Sequence, residues 1–357
     1  MRERYITRTF LFFGHFYYIL YITYAIIILD YKRGTSSMIK KVKVLFLSAA
    51  IALTSMVLVG CGNNGNIKND KMKVTLILDE GGVNDQSFNE SAWGGALAAE
   101  KKYGVEVSYI ESEQESEYLS NIESAIDLDS DLIIGVGFKL TDAILEASLA
   151  YPGQKFAIID GTYDEIPINV QPILFNEEQS GYSVGLIAGE MTKSNKVGFI
   201  GGMDIPSVTN FLIGFEKAIK EVNPDVTVIS QYANSFTDAA KGKAMSEQMI
   251  NSGVDIIFTA AGGVNIGAFE AIKENGKQAI GVDMPSNYIS PDTIITSALK
   301  NVGTGVELTV RDLVYDEFRG GQAAIFDLSN GGVGFEKTDL LPAELIKRIE
   351  NKLNTIK

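Results

Sequence analysis

Residues 74–110 read VTLILDEGGVNDQSFNESAWGGALAAEKKYGVEVSYI, and this stretch decides the fold. Val74–Leu78 is a short, continuous apolar run, the pattern of a strand buried on both faces. Asp79 to Gln86 is polar and holds two glycines, so it reads as a loop. From Ser87 to Tyr103, the residues Phe88, Ala92, Ala96, Ala99 and Tyr103 fall near one stripe at helical spacing. Val105–Ile110 returns to strand composition. Strand, helix and strand in this order form a unit whose two strands run parallel.

The same alternation continues along the chain. Strands are expected at Leu132–Gly135, Phe156–Ile159, Pro172–Phe175, Val197–Ile200, Val226–Ser230, Ile256–Thr259, Ala279–Val282 and Ile294–Thr296. Helical spacing recurs at Leu186–Met191, Val208–Val222 and Ala239–Ile250. Another long helix and a strand at Ala323–Leu328 follow Asn301. The fold class is therefore α/β, with parallel sheets covered by helices on both faces. About ten strands suit two sheets of roughly five better than one sheet. No Pro/Ser-rich linker separates the halves, and Phe175–Gln179 reads as a short crossing. Two lobes come out of this, one of residues 72–176 plus about 300–328, the other of 177–299 plus part of 329–357. Several short crossings would join them beside a cleft at the strand carboxyl ends, a natural ligand site.

The start of the chain reads as targeting sequence. Met38-Ile-Lys-Lys-Val-Lys is a basic opening, Val44–Val57 is an uncharged apolar run, and Leu58-Val-Gly-Cys61 closes it. A cysteine directly after Leu-Val-Gly resembles the lipobox of bacterial lipoproteins, in which the cysteine thiol is diacylated and the chain is then cut before it. Residues 38–60 are then a lipoprotein signal, Cys61 the lipid attachment point, and Gly62–Lys71 a flexible tether reaching roughly 35 Å when extended. Acylation of Cys61 would place the protein on the extracytoplasmic face of the cell membrane. Residues 1–37 include an apolar, aromatic-rich run from Thr9 to Leu29, long enough to span a bilayer. We read them as an extension from a start codon called too early, with Met38 the first residue; a true first membrane helix is the alternative.

Composition excludes several functions. The 357 residues carry a net charge of −14. Residues 1–60 hold eight of the 31 basic and two of the 45 acidic residues, so cleavage leaves −20. Such a chain lacks the clustered Lys and Arg of nucleic-acid binders. His15 and Cys61 are the only His and Cys. The mature chain thus has no His general base, Cys nucleophile or His metal ligand. Gly135-Val-Gly137 lacks the third glycine of a dinucleotide fingerprint, since Leu140 stands there. Gly242-Lys243 lacks the earlier P-loop glycine, where Thr237 stands. Asp127-Leu-Asp129-Ser-Asp131 fails as a calcium loop at Leu132 and Phe138. No cofactor and no metal are implied.

What remains is the polar loop after the first strand, which leads into a helix that Asp85 or Ser87 can cap. Phe88 lies in the first turn of that helix, and helical period alone leaves it open between cleft and core. Together GGVNDQSFNESAWGG (81–95), GFIGGMD (198–204), FLIGFEKA (211–218), YANSFTDAAKGK (232–243), AAGGVNIG (260–267), GVD (281–283) and SALKN (297–301) resemble the basic membrane protein family. These are the nucleoside-binding lipoproteins of ABC transporters, purine nucleoside receptors among them. The resemblance covers essentially the whole mature chain. It implies a type I periplasmic-binding-protein fold: two doubly wound parallel-sheet lobes joined by a multi-crossing hinge.

It also implies roles for single residues. Phe88 and Phe236 match the two rings that sandwich the base, and a stacked base is worth roughly 1–3 kcal/mol per ring. Asp79 and Asp160 match carboxylates at the base edge, where an acceptor selects ring N–H groups. Asp283 and Lys300 match the sugar-binding pair and would neutralise each other in a closed cleft; an ordinary ion pair at a lobe edge is the alternative. Asn84 and Gly262 would add contacts, and Phe211 reads more readily as packing under Phe215. Met284-Pro-Ser-Asn287 departs from the polar residues the family often carries there, on the sugar side. Acids crowded near one site disfavour phosphate, hence nucleosides over nucleotides. Permease and ATPase subunits would be separate chains. Two alternatives stay open: a binder or sensor of the same fold for another small polar ligand such as a pentose, and a carboxylate enzyme such as a nucleoside hydrolase.

Overall fold

The computed structural model describes residues 71–356; Cys61, the signal-like run and the extension before it lie outside the described residues. Among the described residues no helix is long and apolar enough to cross a membrane. The first sheet has the order β11-β5-β4-β3-β1-β2. Its strands are β1 (Lys73–Leu78), β2 (Glu106–Glu111), β3 (Leu132–Val136), β4 (Lys155–Ile159), β5 (Val170–Phe175) and β11 (Ala324–Phe326). The second has the order β12-β10-β9-β8-β6-β7. Its strands are β6 (Lys196–Gly201), β7 (Thr227–Tyr232), β8 (Ile256–Ala260), β9 (Gln278–Asp283), β10 (Ile294–Lys300) and β12 (Val333–Phe335).

All neighbours pair in parallel except β12, which runs antiparallel to β10 with Ala298 opposite Phe335. β3 and β8 are buried along their whole length, whereas the edge strands β2 and β7 have no buried residue. That is why β2 shows polar alternation and β3 a continuous apolar run. β12 has three residues, too few to show a period, and the sequence reading missed it.

The helices are α1 (Phe88–Tyr103), α2 (Tyr118–Asp127), α3 (Thr141–Ala150), α4 (Glu177–Met191), α5 (Pro206–Val222), α6 (Ala239–Asn251), α7 (Val264–Glu274), α8 (Val302–Val314) and α9 (Ala343–Leu353). Their ends carry expected signals. Asp85, rather than Ser87, caps α1: its carboxylate accepts from the amides of Ser87, Asn89 and Glu90 at 2.9–3.1 Å. Asn176 caps α4 through the amide of Gln179, and Asp238 caps α6 through that of Lys241.

α4 begins nine residues earlier than its sequence reading, because Glu177–Gly185 is polar and small yet largely buried. Its glycines let α5 approach backbone to backbone. A Cβ on Gly181 would lie 2.0 Å from the carbonyl oxygen of Phe211, and one on Gly214 would lie 1.9 Å from that of Glu178.

The chain crosses between the sheets three times: at Asn176, at Asn301 and within residues 327–332. These crossings are bonded to each other. Asn176 N donates to Phe326 O, Asn301 N to Gly332 O, and Leu328 N to the side-chain oxygen of Gln179, at 2.8–2.9 Å. Gly214→Ala, which forces α4 and α5 apart, is expected to lower stability by about 1–3 kcal/mol in urea unfolding, as overpacking does. An unchanged midpoint would show that the two helices have room to separate.

Candidate ligand-binding site

Strands β1, β3 and β4 of the first sheet and β8, β9 and β10 of the second end at one cavity. Several of these ends turn sharply through left-handed backbone. Asp160 after β4 has φ 62° and Asp283 at the end of β9 has φ 65°, and Gly137 and Gly262 do the same after β3 and β8. Left-handed backbone is uncommon outside glycine, although aspartate tolerates it. Strain of this kind concentrates where side-chain direction matters.

The cavity brings together Asp79, Phe88, Asp160, Phe236, Gly262, Asp283 and Lys300, all candidates from the sequence. Phe211 also lines it while packing edge-on against Phe258. Asn84 does not; it lies on an adjoining open groove with Trp93 and Tyr109. Phe88 comes from the first lobe and Phe236 from the second. Phe236 rests on glycines: a Cβ on Gly202 would fall 2.2 Å from its ring, and one on Gly262 would fall 3.1 Å from its carbonyl oxygen.

Lys300, at the end of β10, is 2% exposed. The sequence pairs its ammonium with Asp283, but the structure pairs it otherwise. Nζ lies 2.5 Å from Asp160 Oδ2 and 2.9 Å from Glu177 Oε1. It also stands 5.3 Å from the ring centres of Phe88 and Phe175. Glu177 has no motif signal; its position in the first turn of α4, directly after a crossing, was the only hint. Asp283 instead accepts from Ser87 Oγ at 2.5 Å, which joins the first lobe's loop to the end of β9.

Asp79 Oδ1 accepts from Asn89 Nδ2 at 2.8 Å and from Gly81 N at 3.0 Å. Asn89 also lines the cavity and was missed, because mid-motif it reads as helix surface. Its Oδ1 and that of Asp160 are buried without a hydrogen-bond partner. The polar wall therefore offers mainly acceptors, and Lys300 is the one basic residue among those lining the cavity. No group of three His, Cys, Asp or Glu among the described residues is arranged to hold a metal.

Electrostatics follow from this crowding. Burial raises Asp79 and Asp160, with Lys300 opposing the shift at Asp160. Burial pushes Asp85 up to about 6 against its amide hydrogen bonds. Burial pushes Asp283 up to about 7, with Lys300 and the Ser87 hydroxyl pulling it back. For Lys300, burial works against the ammonium, but Asp160, Glu177 and Asp283 outweigh it, so its pKa is raised.

Comparison with known proteins places this geometry in context. Residues 72–357 match the profile of the Bmp family, described as ABC transporter substrate-binding protein PnrA-like. Basic membrane protein A of Borreliella burgdorferi is 37% identical over 307 residues, covering 84% of this chain and 90% of its own. The ABC transporter nucleoside-binding protein BmpA of Lactococcus lactis is 37% identical over 314 residues, covering 80% and 89%. Among solved structures, an ABC transporter solute-binding protein from Aeropyrum pernix superposes with a TM-score of 0.71 at 30% identity, covering 80% and 86%.

The raised aspartate sets a pH dependence. An Asp283 carboxyl near 7 in the native state against 3.8 in the unfolded chain means that the folded protein binds the extra proton. Stability is then highest below the lower value and is lost as pH rises through about 7. Asp283→Asn should flatten that slope in urea unfolding at intervals from pH 4 to 8, leaving the contributions of Asp79, Asp85 and Asp160, whose carboxyls burial also raises. A slope unchanged by the substitution would show that Asp283 is ionised throughout.

Proposed function

The chain belongs to the Bmp family of PnrA-like ABC transporter substrate-binding proteins, and from that premise we propose that its cavity captures nucleosides, purine nucleosides by preference, for import. The observation that carries this reading is that one cavity joins two phenyl rings from opposite lobes with carboxylates and a buried lysine. A heteroaromatic base has two flat faces and suits two rings. Its N–H edge suits the acceptors of Asp79, Asn89 and Asp160. Ribose hydroxyls suit Asp283, which accepts, and Lys300, which donates. Gly262 lets the backbone approach beside Phe236. A bicyclic base offers each ring more stacking area than a single ring does. The Lactococcus relative's name, nucleoside-binding, points the same way.

In this reading the protein performs no chemistry on its ligand. The ligand draws the lobes together about the three crossings, and a separate permease, driven by separate ATPase subunits, responds to the closed form. Acylated Cys61 keeps the protein at the extracytoplasmic face of the membrane, beside that permease. The acidic wall disfavours nucleotides, since a phosphate would meet four aspartates and one lysine. A pentose alone would use Asp283 and Lys300 but leave the paired rings without work.

Calorimetric titration with guanosine, inosine, adenosine, uridine and ribose, followed by chromatography of each ligand, tests the proposal. Saturable one-to-one binding of purine nucleosides, recovered intact, is expected. Phe88→Ala and Phe236→Ala should each weaken it by about 1–3 kcal/mol, roughly 5- to 150-fold. Ribose binding without nucleoside binding would favour the pentose reading, and release of free base would favour an enzyme.

A further inference from the structure

The first lobe has a face that the cavity does not use. β1 to β5 are parallel, so all begin at the end of the sheet turned away from the cavity, and α1, α2 and α3 run back to that end. Hydrogen bonds tie these termini into one surface. Glu106 N donates to Met72 O, Lys73 Nζ to Leu128 O, and the Gln154 amide to Ser130 O. The Asn169 amide donates to the carbonyls of Ser148, Tyr151 and Gln154.

On this surface Met72, Leu128, Leu149, Tyr151 and Ile168 stand exposed, with Tyr315 at the end of α8; Leu149 is 69% and Ile168 88% exposed. Single exposed apolar residues are ordinary, but a group at one end marks a contact surface. The chain also enters here: Lys71 precedes β1 by two residues, so everything before it, Cys61 included, joins the domain at this face. Residues 62–71 reach at most roughly 35 Å.

We propose that this face rests on the lipid surface in which Cys61 is anchored. The short tether holds this end of the first lobe, rather than any other, near the bilayer. Its aliphatic side chains then sit at the headgroup boundary, with Tyr151 and Tyr315 in the position that interfacial tyrosines favour. Asp127, Asp129, Asp131, Asp316 and Glu317 share the face with Lys73, Lys101 and Lys155, so the contact is apolar rather than electrostatic. The cavity, at the opposite ends of the strands, is left open to its ligand. The inference rests on the lipid-anchor reading of Cys61 and is independent of which ligand the cavity takes.

The test uses the acylated protein beginning at Cys61 in phosphatidylcholine vesicles with plain or brominated chains. Leu149→Cys and Ile168→Cys are labelled with bimane, with Ile213→Cys and Ile266→Cys, exposed on the second lobe, as controls. Met72→Cys and Tyr151→Cys replace any variant that fails to fold, as judged by cooperative urea unfolding. Brominated lipid should quench the label at positions 149 and 168, not at 213 and 266, and added salt should leave the quenching unchanged. Vesicle flotation with equal quenching at all four positions would overturn the proposal. So would a spectral shift that depends on protein concentration and not on bromine, which would assign the face to a second copy. Failure to float would overturn it together with the anchor reading. Quenching as expected in a protein that binds no nucleoside would count against the proposed function alone.

Discussion

An ammonium buried in protein must be neutralised, and the arrangement around Lys300 meets that requirement with groups from both lobes. Lys300 ends β10 in the second sheet, immediately before the chain crosses at Asn301. Asp160 ends β4 in the first sheet, and Glu177 opens α4 just after the first crossing. Separating a buried pair by removing one partner costs about 3–5 kcal/mol, since the other charge is left uncompensated. Parting the lobes would take Asp160 from Lys300 but leave it Glu177, so the second lobe keeps the lysine partly neutralised while the first lobe's carboxylate is released. Phe88 and Phe175, each 5.3 Å from Nζ, fill the space beside the lysine. The hinge and the ligand cavity are one electrostatic unit.

The fold was legible because β-branched runs and helical stripes alternate without interruption from Val74 onward. Such runs are what strands buried on both faces require, and the central strands β3 and β8 are buried that way. What stayed hidden was hidden for physical reasons. The first half of α4 is buried mainly through glycine and serine, with Tyr182 and Val184 its only large apolar residues, so no hydrophobic period announces it. β12 is three residues long and antiparallel. In the site, Phe236 and Asp283 stand next to recognisable glycines and strand ends. Glu177 has neither, and its role depends on a crossing that brings it to Lys300 from 123 residues away in sequence. Charge partners at that separation leave no local trace.

The same point explains the exchange of partners between Asp283 and Lys300. Sequence alone places one carboxylate and one ammonium at neighbouring strand ends and suggests that they pair. The register of β9 and β10 sets Asp283 beside Leu299, not beside Lys300. The lysine is turned toward the first lobe and the aspartate toward Ser87.

This leaves Asp283 with a partner that a ligand hydroxyl must compete with. Ser87 Oγ already donates to Asp283 Oδ2, so a sugar hydroxyl at that oxygen replaces one hydrogen bond with another and gains little net free energy from it. Asp160 Oδ1 and Asn89 Oδ1 differ, because they are buried without a donor, and a ligand N–H or O–H that reaches either relieves a desolvation cost already incurred. Under the proposed reading, stacking of a flat ligand between Phe88 and Phe236 would supply affinity in either case, whatever the pattern of donors. Selectivity then concentrates at the two unpartnered acceptors. A ligand that lacks donors at those positions can fill the cavity and still be bound weakly.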